Sequence, residues 1–166
     1  AEGFMADVCR LWEAETQALN PGVRRVILRI GVVLGKGGGV IARLLPVFRT
    51  GFGGPVGNGL QIMSWIHLDD LVGIITHALD NQAMAGVYNA VAPNPVSNRQ
   101  FSRALGQALH RPALVPVPAV ALRGAMGEMA AVVLDSQNIS SHKVEKEAGY
   151  RFRHPDIEQA VKAALT

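Results

Sequence analysis

Two short apolar runs limit the folds open to this 166-residue chain more than any other feature. Val26, Ile27, Leu28 and Ile30 form a nearly continuous β-branched segment, and Gly-Val-Tyr-Asn-Ala-Val at 86–91 has the same character. Apolar runs of this length, without polar alternation, mark strands buried on both faces. Helical patterns lie before, between and after them, and strands separated by helices pair in parallel through right-handed crossovers. The expected class is therefore α/β. Two such strands do not make a full sheet, so their partners are expected in a missing N-terminal half or in another chain.

The punctuation between the runs is clear. Phe4, Val8, Leu11, Trp12 and Leu19 recur at helical spacing, and Asn20-Pro21-Gly22 stops that helix. After the first strand, Gly31 to Gly35 is expected to leave the sheet. Lys36-Gly37-Gly38-Gly39 is a flexible loop, and 40–50 is a helix kinked or shortened by Pro46. Residues 51–59 hold five glycines and a proline and form an irregular loop. Ser97-x-x-Gln100 is a capping-box pattern that opens a helix to about His110, closed by Arg111-Pro112. A short strand at 113–117 is expected next, then a helix at 118–134 that is apolar around much of its girth and offers an oligomer face. A short helix at 141–148 ends at Gly149, and Pro155 should occupy the first turn of a last helix reaching Leu165.

Composition narrows the functional classes. Hydrophobic residues make up 49% and charged residues 17%, which supports a packed core rather than a disordered chain. No apolar run approaches the length of a membrane span. No charged-then-apolar leader opens the sequence, and the single Cys9 fits a reducing, cytoplasmic setting. A chain that opens at Ala1 inside a helical pattern has the character of a fragment or a processed form. The net charge of +3 is spread over scattered arginines rather than a dense stripe, and aromatics are only 5%. No nucleic acid partner and no membrane partner are expected. An anionic small ligand or nucleotide is the alternative to a plain solvated surface. His67, His77, His110, His142 and His154 show no metal-ligand spacing, so no metal is expected. There is no Ser-centred nucleophile elbow.

The densest motif is Ser64-Trp65-Ile66-His67-Leu68-Asp69-Asp70-Leu71-Val72, a short strand or turn running straight into a helix with two carboxylates at its start. Together with 26–35, Phe48-Arg49-Thr50-Gly51-Phe52-Gly53-Gly54-Pro55, Tyr88-Asn89-Ala90-Val91-Ala92-Pro93 and His110-Arg111-Pro112, it resembles the C-terminal half of the atypical extended short-chain dehydrogenase/reductases. The nearer resemblance is to "epimerase family" proteins that carry a C-terminal domain of unknown function, some labelled nucleoside-diphosphate-sugar epimerase or SulA-like. It covers almost the whole chain. It implies the C-terminal part of a Rossmann-like doubly wound parallel sheet (1–35 and 64–92) plus a small, mostly helical substrate-side domain (36–63 and 93–166). It also implies NADP or NAD as cofactor and a small-molecule substrate.

Two departures from the family pattern accompany the resemblance. The family's Tyr–Lys acid/base pair should fall at Phe4–Val8 or Met5–Cys9, and neither pair can move a proton in hydride transfer. No catalytic residue is therefore assigned. Nucleotide-sugar epimerases carry a diphosphate-binding Arg where this chain has Met63, and a thioether cannot neutralise a diphosphate.

The resemblance places Arg29, Gly31, Val32, Val33 and Leu34 beside the cofactor, at strand ends where open α/β sheets hold ligands. Arg29 would otherwise be a buried guanidinium paired with Asp69 or Asp70. Gln61, Trp65 and His67 are the candidate substrate contacts. Trp65 is equally a core residue, and for His67 a core histidine tied to a backbone carbonyl is the favoured reading. Asp69 and Asp70 are expected to cap and orient the helix they open. Asn89 should bond to nearby backbone.

Two readings of function follow. One is the substrate side of an NAD(P)-dependent oxidoreductase or epimerase-like protein, inactive by itself. The other is a non-enzymatic ligand-sensing or protein-binding module related to cell division, with homo-oligomerisation possible in either case.

Overall fold

The computed structural model describes residues 4–16, 22–118, 120 and 134–166. Helix α1 (Phe4–Glu15) precedes strand β1 (Val26–Ile30), which pairs in parallel with β5 (Gly86–Ala90) from Val26↔Gly86 to Ile30↔Ala90. The chain then passes Gly31 and enters β2 (Val32–Leu34), which pairs in parallel with β4 (Trp65–His67). Gly31 is the changeover. Its N–H donates to Ala90 O at 3.2 Å, and the next residue, Val32, donates to Ser64 O at 2.9 Å. A Cβ at Gly31 would lie 2.7 Å from Ser64 O, so the close approach of three backbones requires glycine there. The expectation that 31–35 leaves the sheet is thus corrected: the segment stays extended and changes partner.

Strand alternation sorts the core into two layers. Trp65 and Ile66 are neighbours on β4, both fully buried, and they point into different clusters. Trp65 packs with Leu34, Ile41, Phe48, Phe101, Leu105 and Val161, beneath α2 (Gly39–Arg49), α4 (Asn98–Ala108) and α5 (Ile157–Leu165). Ile66 packs with Ile74, Met84, Tyr88 and Val144, beneath α3 (Leu68–Asp80) and a π-helical turn at Lys143–Glu147. Val32 and Leu34 follow Trp65, whereas Val33 follows Ile66, the period of two expected of a pleated strand. The chain is α/β, with parallel strands between helical layers.

The helix boundaries have local causes. Ser97 caps α4: its Oγ accepts from Gln100 N at 3.2 Å, and Gln100 Oε1 accepts from Ser97 N at 2.8 Å, the reciprocal pair the motif predicts. Gly149, at φ +72°, closes the turn before it. Ser97 also pairs β6 (Val96–Ser97) antiparallel to β3 (Ile62–Met63), which ties α4 to the glycine-rich loop.

Several expectations are corrected. The segment 113–117 makes only an isolated parallel bridge, Val56↔Val117, because Pro112, Pro116 and Pro118 remove donors a strand would need. Pro155 lies ahead of α5, which starts at Ile157 after Asp156. The first strand is not buried on both faces: Val26 to Leu28 are half-buried and Arg29 and Ile30 are exposed, because β1 pairs with β5 alone among the described residues. The apolar helix expected at 118–134 falls almost wholly outside the described residues.

Candidate functional site

The junction of β4 and α3 carries His67, Asp69 and Asp70, and brings Tyr150 and His154 beside them. His67 ends the strand in extended conformation, and its Nδ1 accepts from Asp69 N at 3.2 Å, so the histidine, not a carboxylate, caps α3. Accepting at Nδ1 places the neutral ring's proton on Nε2, which is buried and has no hydrogen-bond partner among the described residues. Burial is the main cause that lowers the His67 pKa; the neighbouring His154 lowers it further, and Asp69 and Asp70 oppose the shift. The two imidazoles stack at 4.1 Å between centroids with a 46° tilt.

The adjacent aspartates have separate jobs. Asp70 is fully buried. Its Oδ1 accepts from Arg153 N at 2.7 Å and from Tyr150 Oη at 3.1 Å, and its Oδ2 accepts from His154 N at 2.9 Å. It therefore fastens the 150–154 segment to the first turn of α3, and three donors make its burial tolerable. Tyr150 reaches it because residue 73 is glycine: a Cβ there would sit 2.2 Å from the phenol oxygen. Burial, then the charge of Asp70 and the hydrogen bond to it, push the Tyr150 pKa well above the ordinary phenol value. A general-base tyrosine needs the opposite shift, so Tyr150 is a structural donor.

Asp69 is more than half exposed. Its Oδ2 lies 3.6 Å from His67 Nδ1 and 3.4 Å from His154 Nε2, so three ligand-capable groups converge within 4.8 Å. This convergence was hidden from the sequence because His154 reaches the site through tertiary packing. The Nδ1 lone pair of His67 is already engaged by the Asp69 N–H, so a cation here would have to undo the helix cap.

The other candidates are dispersed. Arg29 is exposed and forms a two-point ion pair with Glu13 of α1, at 2.7 Å from both Nε and Nη2. That corrects the expected buried pairing with Asp69 or Asp70: at the open end of β1 the guanidinium faces α1 instead. The pairing lowers the Glu13 pKa and raises that of Arg29. Gly31 is the partner-switching residue, Val32 and Val33 are half-buried, and Leu34 is fully buried in the core. Trp65 is fully buried, with Nε1 donating to Asn94 O at 3.0 Å, which places it in the core rather than on a cleft wall. Gln61 is half-buried and donates from Nε2 to Val56 O at 3.2 Å. Asn89 bonds to Ser140 O at 3.1 Å, the backbone partner expected of it. Sequence reasoning missed Ser64, whose Oγ donates to Gln137 O and accepts from Ile139 N, holding the C-terminal segment against β4.

Comparison with known proteins shows which proteins the chain resembles. The domain of unknown function DUF1731 matches residues 117–164. The epimerase family protein SDR39U1 homolog of Arabidopsis thaliana, designated chloroplastic, is 44% identical over 162 residues, covering 98% of this chain and 46% of that protein. The crystal structure of human epimerase family protein SDR39U1 with NADPH superposes with a TM-score of 0.91 at 37% identity, covering 95% of this chain and 54% of that one. The nucleoside-diphosphate sugar epimerase structure from Corynebacterium glutamicum gives a TM-score of 0.72 at 35% identity, covering 99% of this chain and 31% of that one. The chain spans about half the length of the curated relatives it matches. In sequence and in fold the chain matches the C-terminal half of the epimerase family proteins SDR39U1 and its homologues.

Proposed function

We propose that this chain forms the substrate-side half of an NAD(P)(H)-dependent, short-chain-dehydrogenase-type protein. The observation that carries the reading is the close superposition of nearly the whole chain on a relative solved with NADPH. Among the described residues β1 pairs on one side only, which agrees with it, since a strand from further polypeptide would have a place to pair there. In this reading 1–35 and 64–92 complete the nucleotide-binding sheet, and 36–63 and 93–166 form the substrate-side domain.

The residues of the chain by themselves do not fit a dinucleotide. The loop after β2, Lys36-Gly37-Gly38-Gly39, lacks the spacing and the acidic residue of a pyrophosphate-binding turn. Leu34 is sealed in the core, and Arg29 is held by Glu13. Gly31 to Val33 can offer backbone at most, so the phosphates need residues from the other half of the parent protein. On the substrate side, Met63 packs against the Trp65 cluster where nucleotide-sugar epimerases place an arginine. A nucleotide diphosphate sugar is therefore not the proposed substrate. Of Gln61, Trp65 and His67, only Gln61 is not fully buried.

The non-enzymatic, ligand-sensing alternative rests on one feature: α1 carries no Tyr–Lys pair. The test is NADPH fluorescence, which reports burial of the nicotinamide. The full-length parent protein should blue-shift and intensify it, whereas the 166-residue chain should not. Absence of a change with the full-length protein would refute cofactor use. A change without turnover across a panel of carbonyl substrates would support the sensing alternative.

A further inference from the structure

A groove of about 750 Å³ runs between α4, the glycine-rich loop at 55–58 and the segment 111–116. Among the described residues its charged lining side chains are Arg99, Arg103 and Arg111, with no carboxylate among them. Arg99, Arg103 and Gln107 recur every four residues along α4, so they share one helix face at spacings of roughly 6 Å. Arg99 is oriented: its Nη2 donates to Asn58 O at 2.8 Å, and its backbone N–H donates to Gly59 O at 3.0 Å. The loop is shaped for that approach. Gly59 has φ +68°, and a Cβ on it would meet Pro55 Cβ at 2.8 Å and Arg99 Cβ at 3.1 Å. Arg103 and Arg111 form no ion pair among the described residues. The rest of the lining is largely apolar, with Pro55, Pro112 and Pro116 beside Leu114, a residue 81% exposed.

We propose that this groove binds an organic phosphate: a small ligand with one or two phosphoryl groups on an apolar body. Like charges crowded into one concavity repel, and an anion bound between them relieves the repulsion. Guanidinium forks match phosphate oxygens two at a time, with five fixed donors on each arginine. The proline and leucine wall removes an apolar body from water, which an inorganic anion cannot exploit. The inference does not rest on cofactor use, because it concerns side chains of this chain alone and is read without NADPH.

Isothermal titration of the 166-residue chain at low ionic strength, with phenyl phosphate and with inorganic phosphate, tests it. Phenyl phosphate is expected to bind at least about tenfold more tightly than inorganic phosphate. The Arg103→Ala/Arg111→Ala double variant should weaken both by about tenfold or more, without lowering the melting temperature, since both side chains are exposed. Leu114→Ser should remove the preference for the phenyl ester and leave inorganic phosphate unchanged. Failure of either probe to saturate, or equal binding by the double variant, overturns the site. Equal affinity for the two probes overturns the assignment of an apolar body.

Discussion

At the residue scale, position 70 organises the site, and its partners could not be seen from its neighbours. The sequence shows two carboxylates opening a helix and predicts that both serve as caps. The structure gives the cap to His67 and turns Asp70 inward, onto donors from residues 150–154. No local pattern encodes that, because the donors are two backbone amides and a phenol brought in by the C-terminal segment. Gly73 gives the sharpest test. Gly73→Ala would place a methyl group 2.2 Å from the Tyr150 oxygen and push the ring off Asp70, costing about 1–3 kcal/mol by chemical denaturation. A Gly73→Ala protein as stable as the parent would show that Tyr150 does not reach Asp70 in solution. His67 sets a pH dependence. Its folded-state pKa lies below the ordinary value of 6.5, so the unfolded chain binds the proton more readily. The stabilisation is whole above pH 6.5 and is lost as pH falls below it, through the depressed folded pKa. Melting temperatures across that window should fall on the acid side, and His67→Asn, which keeps a capping oxygen but does not titrate, should flatten the fall. An equal acid-side fall in both proteins would remove His67 from the explanation.

At the scale of elements, legibility depended on whether the cause was local. The α4 capping box lies within four consecutive residues, so its start was readable from sequence and was found. Ser97→Ala should destabilise the chain by about 1 kcal/mol, and Ser97→Asp should restore most of that loss, because Asp supplies an equivalent acceptor at the cap. Equal melting temperatures for the serine and alanine proteins would mean that packing of Phe101 and Leu105, not the cap, fixes where α4 begins. Strand β2 was missed for the opposite reason. Gly31 looks like a strand end in sequence, but it is the residue that lets the chain exchange β5 for β4 without leaving the extended state. A glycine that ends a strand and one that permits close backbone approach have the same local signature. The segment at 113–117 shows the converse: its apolar residues promised a strand, and its prolines reduced it to one bridge.

At the scale of the molecule, the apolar pattern of α3 is richer than its packing requires. Leu71, Ile74 and Ala78 fill the inner layer. Leu68, Val72, Ile75 and Leu79 recur at helical spacing on another face and are 42%, 54%, 43% and 68% exposed. Ile30, at the open end of β1, is 53% exposed. Single exposed apolar residues are ordinary, but a stripe along one helix marks a surface that something else covers. No helix among the described residues is long and apolar enough to cross a membrane. Under the proposed function, the polypeptide that would complete the sheet would also cover this face. The 166-residue chain should then bind 1-anilinonaphthalene-8-sulfonate and associate with rising concentration in analytical ultracentrifugation, and the full-length parent should do neither to the same degree. Val72→Ser with Ile75→Ser should reduce dye binding by the isolated chain while leaving its far-ultraviolet circular dichroism unchanged, since neither side chain belongs to the core. A monomeric, dye-silent chain would mean that the stripe is closed within these residues, and the case for a second half seated on α3 would fall with it.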